Sequence, residues 1–246
     1  MANALYVAWQ DQTSRTWHTV ARLRRVKDEY EFVFTRGAER LRNVPSELFR
    51  MDVRKRYRSN ELIPLFRNRL LSSSRTDYHK ISNWLNLSGE EDEFGTLMKF
   101  GLIPGTDSIL IYPEPTLVNN NYALEFFVHG LRHMHRDAIN LCRLMNPGER
   151  LLPLLDVQNP FDPNAVALRC PENTIIIGYV PTFYAADLRD LLSRPTVARN
   201  ARIVIVKNNT DAPEQLRLLC KIEAVAPAGF RALSSEDHQP LFDEAA

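Results

Sequence analysis

The run Asn159-Pro160-Phe161-Asp162-Pro163-Asn164 sets an aromatic ring and a carboxylate side by side between two prolines. Each proline fixes its own φ, so Phe161 and Asp162 have little freedom left to lose when a ligand arrives. An aromatic ring held out in this way can stack on an unpaired base, an interaction of about 1–3 kcal/mol per base. An ionised Asp162 only accepts hydrogen bonds, so it can take one from a terminal hydroxyl and repels a terminal phosphate. Upstream, Arg132 offers a forked guanidinium for a backbone phosphate. Asn, Pro and Asp also build tight turns by bonding backbone amides, so the same loop reads alternatively as a turn that only shapes the chain.

Other chemistry is poorly provided for. His129, His133 and His135 form an H-x-x-x-H-x-H cluster with zinc-like residue types. No Cys or Glu stands within it to complete a ligand set, so no metal is expected. There is no G-x-S-x-G elbow for an activated serine. The carboxylates Asp156 and Asp162 and the distant Lys207 have no spacing that makes them a nuclease centre. Catalytic residues, cofactors and enzymatic activity are therefore not expected. Cys142, Cys170 and Cys220 are odd in number and far apart, which argues for reduced packing residues.

The net charge of +1 hides an asymmetry. Residues 1–85 hold 17 Lys/Arg against 9 Asp/Glu, residues 86–125 hold 1 against 7, and residues 126–246 hold 13 against 14. The densest basic run contains Arg54, Lys55, Arg56 and Arg58, followed by Arg67, Arg69 and Arg75. Such a field favours a polyanion or an acidic protein surface, though a basic run also serves simply as a solvated face. With 44% hydrophobic and 25% charged residues the chain can bury real cores, and disorder is not its default. No apolar run approaches the roughly 20 residues of a membrane helix, and the first ten residues lack the build of a secretion signal. A cytoplasmic protein with no membrane partner is expected.

The elements that must position these groups fall into two sets. Leu5, Val7 and Trp9 alternate, as do Tyr30, Phe32 and Phe34, and residues 17–26 read as a strand between them. Helical spacing follows at Leu62, Leu65, Phe66 and Leu70, then at Tyr78, Ile81, Trp84 and Leu85 behind a capping Asp77. A short helix over 93–100 ends at Gly101, and residues 108–112 read as a strand. Pro113-Glu114-Pro115 and Asn119-Asn120-Asn121 mark the domain boundary. Beyond it, strands are predicted over 122–128, 151–156, 165–169, 174–179, 202–206 and 215–224, with helices over 137–144 and 184–192. Short strands around two small helices suggest a barrel. The last dozen residues read as a frayed polar tail.

From Tyr122 to Val225 the chain resembles the HIRAN family. The resemblance rests on the Asn159-Pro160-Phe161-Asp162 loop followed by Asn164-Ala165-Val166, with Val128-His129-Gly130-Leu131-Arg132-His133 upstream and Ile177-Gly178-Tyr179-Val180-Pro181 downstream. It implies an OB/SH3-like β-barrel that recognises single-stranded DNA with a free 3′ hydroxyl, as in the HIRAN domains of fork-remodelling ATPases. Arg132 and His133 then match a basic-aromatic pair, and Asn159, Phe161 and Asp162 the end-binding loop. Tyr179 would extend the stacking face or pack in the core. His133 and Phe161 stand where those domains have tyrosines, a change that keeps stacking and loses the phenol hydrogen bonds.

The first half resembles the N-terminal subdomain of HipA-type toxin kinases in its strand order, in Phe66-Arg67-Asn68-Arg69-Leu70-Leu71, and in the closing stretch from Thr106 to Pro113. No kinase core accompanies it. This resemblance implies a companion or antitoxin-like role, docking in trans onto a HipA-like kinase. The expectation is thus an α+β protein of two small domains: a barrel with helices over 1–117, a HIRAN barrel with two helices over 122–228, and a polar tail over 229–246. Its expected partner is single-stranded DNA or a DNA end, with Arg54, Lys55, Arg56 and Arg58 as an accessory contact.

Overall fold

A computed structural model describes residues 4–11, 13, 14, 16–41, 50–100 and 108–241. The protein is a mixed α+β chain with two sheets and few helices, and it divides into two compact units. The first comprises residues 1–80, 87–114 and 233–246; the second comprises residues 81–86 and 115–232.

In the first unit five antiparallel strands lie in the order β4-β3-β2-β1-β5: β1 (Ala4–Gln10), β2 (Trp17–Val26), β3 (Glu29–Phe34), β4 (Tyr57–Ser59) and β5 (Ile109–Pro113). The alternation read in β1 and β3 has its cause here. Leu5, Val7 and Trp9 join Leu23, Phe32, Phe34, Ile109 and Ile111 in one core. Phe66 of α1 (Pro64–Arg67) and Phe94 and Leu97 of α3 (Glu93–Phe100) enter the same core. Between them α2 (Tyr78–Trp84) follows Asp77. Gly101 and the closing stretch 101–107 lie outside the described residues.

Where the C-terminal stretch reads as a frayed tail, residues 235–241 instead cover the opposite face of this sheet. Tyr6 stacks on Tyr112, ring centroids 5.7 Å apart, and the edge of His238 closes over Tyr6 at 5.1 Å. Pro240 bridges Thr35, and the Leu241 amide donates to the Phe34 carbonyl at 2.8 Å. Arg40 pairs with Asp237 at 2.9 Å. A β1 strand buried on both faces follows from this cover.

The second unit holds a sheet in the order β10-β9-β8-β11-β12-β7-β6. Its strands are β6 (Thr116–Val118), β7 (Asn121–Phe127), β8 (Arg150–Leu155), β9 (Val166–Arg169), β10 (Ile176–Tyr179), β11 (Arg202–Asn208) and β12 (Leu218–Val225). Tyr122, Leu124 and Phe126 alternate inward, opposite Ile222 and Cys220. Besides α4 (Arg136–Leu144) and α5 (Thr182–Leu192), it contains α6 (Pro195–Asn200), which sequence periodicity missed. Expected as barrels, both sheets are open ladders among the described residues. In the second, one bridge joins the edge strand β10 to the segment that follows β7: His129 and Tyr179 exchange backbone hydrogen bonds of 2.9 and 2.8 Å.

Candidate nucleic-acid interface

Between β8 and β9 the chain leaves the sheet for ten residues and returns, and the loop is wired internally. The Asn159 carboxamide oxygen accepts the amides of Phe161 and Asp162 at 3.0 and 3.1 Å, while its nitrogen donates to Asp156 Oδ2 at 3.1 Å. Asn159 therefore builds the turn, as Asn does where its side chain imitates backbone. Asp162 Oδ1 accepts the Asn164 amide at 2.8 Å, and Oδ2 accepts the Thr182 hydroxyl at 2.6 Å. Arg189, further along α5, donates to the Pro163 carbonyl.

The same wiring leaves the aromatic ring outside. Phe161 is 93% exposed, against the usual preference of so large an apolar side chain for burial. Val157, at 68%, is exposed on the same excursion, and Leu154, at 46%, on the end of β8 that leads into it.

Tyr179 stands between this loop and the Arg132–His133 turn. Its hydroxyl donates to Asp156 Oδ2 at 3.0 Å. Partial burial, and then the Asp156 carboxylate, raise its pKa. On the other side, a Cβ on Gly130 would meet the Tyr179 ring at 3.6 Å. Gly130 has φ +78°, a left-handed conformation that a side chain disfavours, and it opens the 3-10 turn Leu131–His133. Arg132 and His133 are both exposed, and Arg132 Nε donates to His133 Nε2 at 2.9 Å. The His135 ring caps α4 by accepting the Asp137 amide at 3.3 Å.

The three histidines are thus engaged separately: His133 by Arg132, His135 by the helix cap, and His129 edge-on to Phe183 at 6.0 Å. Burial pulls the His129 pKa down to about 4. Among the described residues no three His, Cys, Asp or Glu side chains converge as a metal-holding group. Cys142, Cys170 and Cys220 are free and buried, and burial raises the Cys142 thiol to about 12.

The basic run lies in the first unit and is partly neutralised. Glu31, buried on β3, takes Arg24 at 3.0 Å, Arg58 at 3.4 Å and Arg56 at 3.5 Å. Burial alone would raise the Glu31 carboxyl, but Arg24 and Arg56 outweigh it and hold the group below the usual carboxylate range. Arg54 and Lys55 are exposed, with Lys55 at 3.9 Å from Asp52.

Sequence reasoning missed Thr182 and Arg189, which hold the loop from α5. A threonine after Pro181 reads as part of a helix start, and nothing in its spacing points to an aspartate twenty residues earlier.

Residues 121–226 match the model of the HIRAN domain family; the match begins at residue 121, so the resemblance of the first half to HipA has no counterpart in it. No curated protein matches the chain. Two solved structures are similar. The HIRAN domain of human HLTF is 17% identical, with 42% of this chain and 74% of that one covered and a TM-score of 0.33. A protein from Lactobacillus plantarum is 15% identical, with 42% and 96% covered and a TM-score of 0.33. Among the described residues no helix is long and apolar enough to cross a membrane. Residues 121–226 are thus similar to the HIRAN domain, a family associated with DNA binding.

Proposed function

We propose that the HIRAN domain binds single-stranded DNA at a free 3′ end, without catalysing a reaction. The observation that carries this reading is the ring of Phe161, 93% exposed on a loop held in place by the bonded side chains of Asn159 and Asp162. A terminal base stacks on that ring at little entropic cost, because the loop is already ordered. Each Asp162 oxygen accepts one bond within the protein, and a carboxylate oxygen can accept two. A terminal hydroxyl therefore adds to the Thr182 bond and need not displace it, whereas a terminal phosphate meets a like charge. Arg132, braced by His133, takes the neighbouring backbone phosphate, and Tyr179 positions the loop through Asp156. Arg54 and Lys55, with Arg56 and Arg58 held at Glu31, offer an accessory basic contact.

Fluorescence anisotropy with one labelled strand ending in either a 3′ hydroxyl or a 3′ phosphate tests the reading. The hydroxyl form is expected to bind more tightly. Equal affinity removes end recognition, and no binding of either strand removes the DNA reading itself.

A further inference from the structure

A cleft of about 800 Å³ opens beside the edge strand β4, wholly within the first unit, and of its lining the HIRAN reading uses only Arg58, as an accessory contact. Arg50, Arg58 and Arg69 line it together with Tyr57, Met51 and Ile63, and among the described residues no carboxylate lines it. Its volume falls in the roughly 300–1,000 Å³ range of small-ligand sites. The walls divide into two chemistries. Met51, Tyr57 and Ile63 are partly buried against the core, and so form a fixed apolar floor. The Tyr57 ring is held by its hydroxyl, which donates to the Asp52 carbonyl at 3.2 Å, and by Phe32 behind it at 6.3 Å.

The charge on the rim is positive. Arg50 is exposed, and Arg69 is anchored by a bond of 3.3 Å to the Ile109 carbonyl. Arg58 reaches Glu31, but that one carboxylate also faces Arg24 and Arg56, so three guanidinium groups surround a single negative charge. A flat apolar surface beside a positive, guanidinium-rich rim selects a ligand with an aromatic ring at one end and a multiply charged oxyanion at the other. Guanidinium forks match phosphate oxygens in pairs, and arginine stacks readily beside aromatic rings.

We propose that this cleft binds a nucleoside phosphate, with its base on Tyr57 and the apolar floor and its phosphate on Arg50 and Arg58. The site is independent of the HIRAN loop. The nucleotide comes either free from solution or as a unit of a strand, and both sources present the same chemistry.

Isothermal titration of the full chain with deoxyadenosine 5′-monophosphate tests the assignment, against deoxyadenosine and inorganic phosphate as its two halves. The nucleotide is expected to bind saturably, and each half about tenfold more weakly or worse, because each keeps one of the two contacts. Arg50→Gln should weaken the nucleotide by about tenfold. Arg50→Lys, which keeps the charge, should cost less and serves as the readout if circular dichroism finds Arg50→Gln misfolded. Phe161→Ala should remove only what the base and free 3′ hydroxyl of the nucleotide gain at the HIRAN loop, and leave the Arg50-dependent binding unchanged. A five-residue deoxyadenosine strand with both ends phosphorylated separates the sources: tighter binding than the mononucleotide, lost in Arg50→Gln, identifies a strand, and weaker binding identifies the free nucleotide. Absence of saturable nucleotide binding overturns the proposal. So does binding that survives the Arg50 variants and falls in Phe161→Ala, which would assign it to the HIRAN loop.

Discussion

The Tyr179 hydroxyl donates to Asp156 Oδ2 at 3.0 Å, the oxygen that also receives the Asn159 side chain at 3.1 Å. One carboxylate therefore ties β10 to the turn that presents Phe161. Tyr179→Phe keeps the ring and removes this bond. Both residues are only partly buried, so the expected loss of stability is about 1 kcal/mol, with faster hydrogen exchange at the Phe161 and Asp162 amides. DNA affinity should fall in parallel, because a loosened loop must be ordered on binding. Unchanged exchange in the variant would leave the bond without a positioning role.

Phe161→Ala separates binding from folding. A side chain 93% exposed contributes little to the core, so the midpoint of urea unfolding should stay within about 0.5 kcal/mol of the parent. Affinity for a strand ending in a 3′ hydroxyl should drop by about 1–3 kcal/mol, the worth of one stacked base. An anisotropy titration with the same affinity for parent and variant would remove the ring from the interface.

The parts of this fold that were legible in the sequence are those where burial is one-sided and repeated. Leu5, Val7 and Trp9 face one core, and the alternation is plain. Strand β4 is three residues inside a basic run, where Arg58 and Arg56 serve Glu31, and so it carries no hydrophobic period. Thr116–Val118 reads as linker because an edge strand with exposed Leu117 and Val118 buries too little to show a pattern. The C-terminal cover depends on one histidine and a few backbone bonds, which no local spacing announces. At the site, the exposed ring and bonded turn follow from proline and asparagine chemistry. The Asp162–Thr182 bond joins elements twenty residues apart and becomes visible only in three dimensions.

Acid should destabilise the chain before its carboxylates are protonated. Burial lowers the folded-state pKa of His129 and of His238 from 6.5 to about 4. His238 is enclosed by Tyr112, whose hydroxyl lies 2.9 Å from Nε2, by Ser235 at 2.7 Å from Nδ1, and by the Tyr6 ring. For a histidine whose folded pKa is depressed, the unfolded chain takes up the proton first. No penalty exists above about pH 6.5; it grows as the pH falls and levels off below about 4, at up to roughly 3 kcal/mol for a fully buried ring. Urea midpoints between pH 7 and 4 should therefore decline. His238→Gln should lower stability at pH 7 through the lost bonds and flatten that decline. An unaltered slope in the variant would place the acid sensitivity elsewhere.

Gly178 is required by a close approach of two backbones. Its φ of +148° is one that side-chain-bearing residues rarely adopt, and a Cβ would stand 2.6 Å from the His129 carbonyl oxygen and 2.5 Å from Val128 Cγ1. Gly178→Ala must push apart the His129–Tyr179 bridge that joins β10 to the segment after β7. A loss of about 2 kcal/mol or more is expected, from strain and broken bonds together. Chemical denaturation measures it, and hydrogen exchange at the His129 and Tyr179 amides should report the opened bridge. A variant as stable as the parent would mean that the two segments separate without cost.

Salt dependence decides how much of the affinity is electrostatic. If about four phosphates of a single strand are neutralised, log affinity should fall against log salt with a slope near −3, at roughly −0.7 per phosphate. Arg132 is exposed and oriented by His133 Nε2, so its guanidinium is a prime candidate for one of those contacts. Arg132→Ala should then reduce the slope by about 0.7 and weaken all sequences alike, since a phosphate contact carries no base information. Phe161→Ala should weaken binding at every salt concentration and leave the slope unchanged, because a stacked base releases no counterions. This difference in slope distinguishes the two residues even where their losses in affinity are equal. A flat response in the parent protein would discard DNA as the ligand.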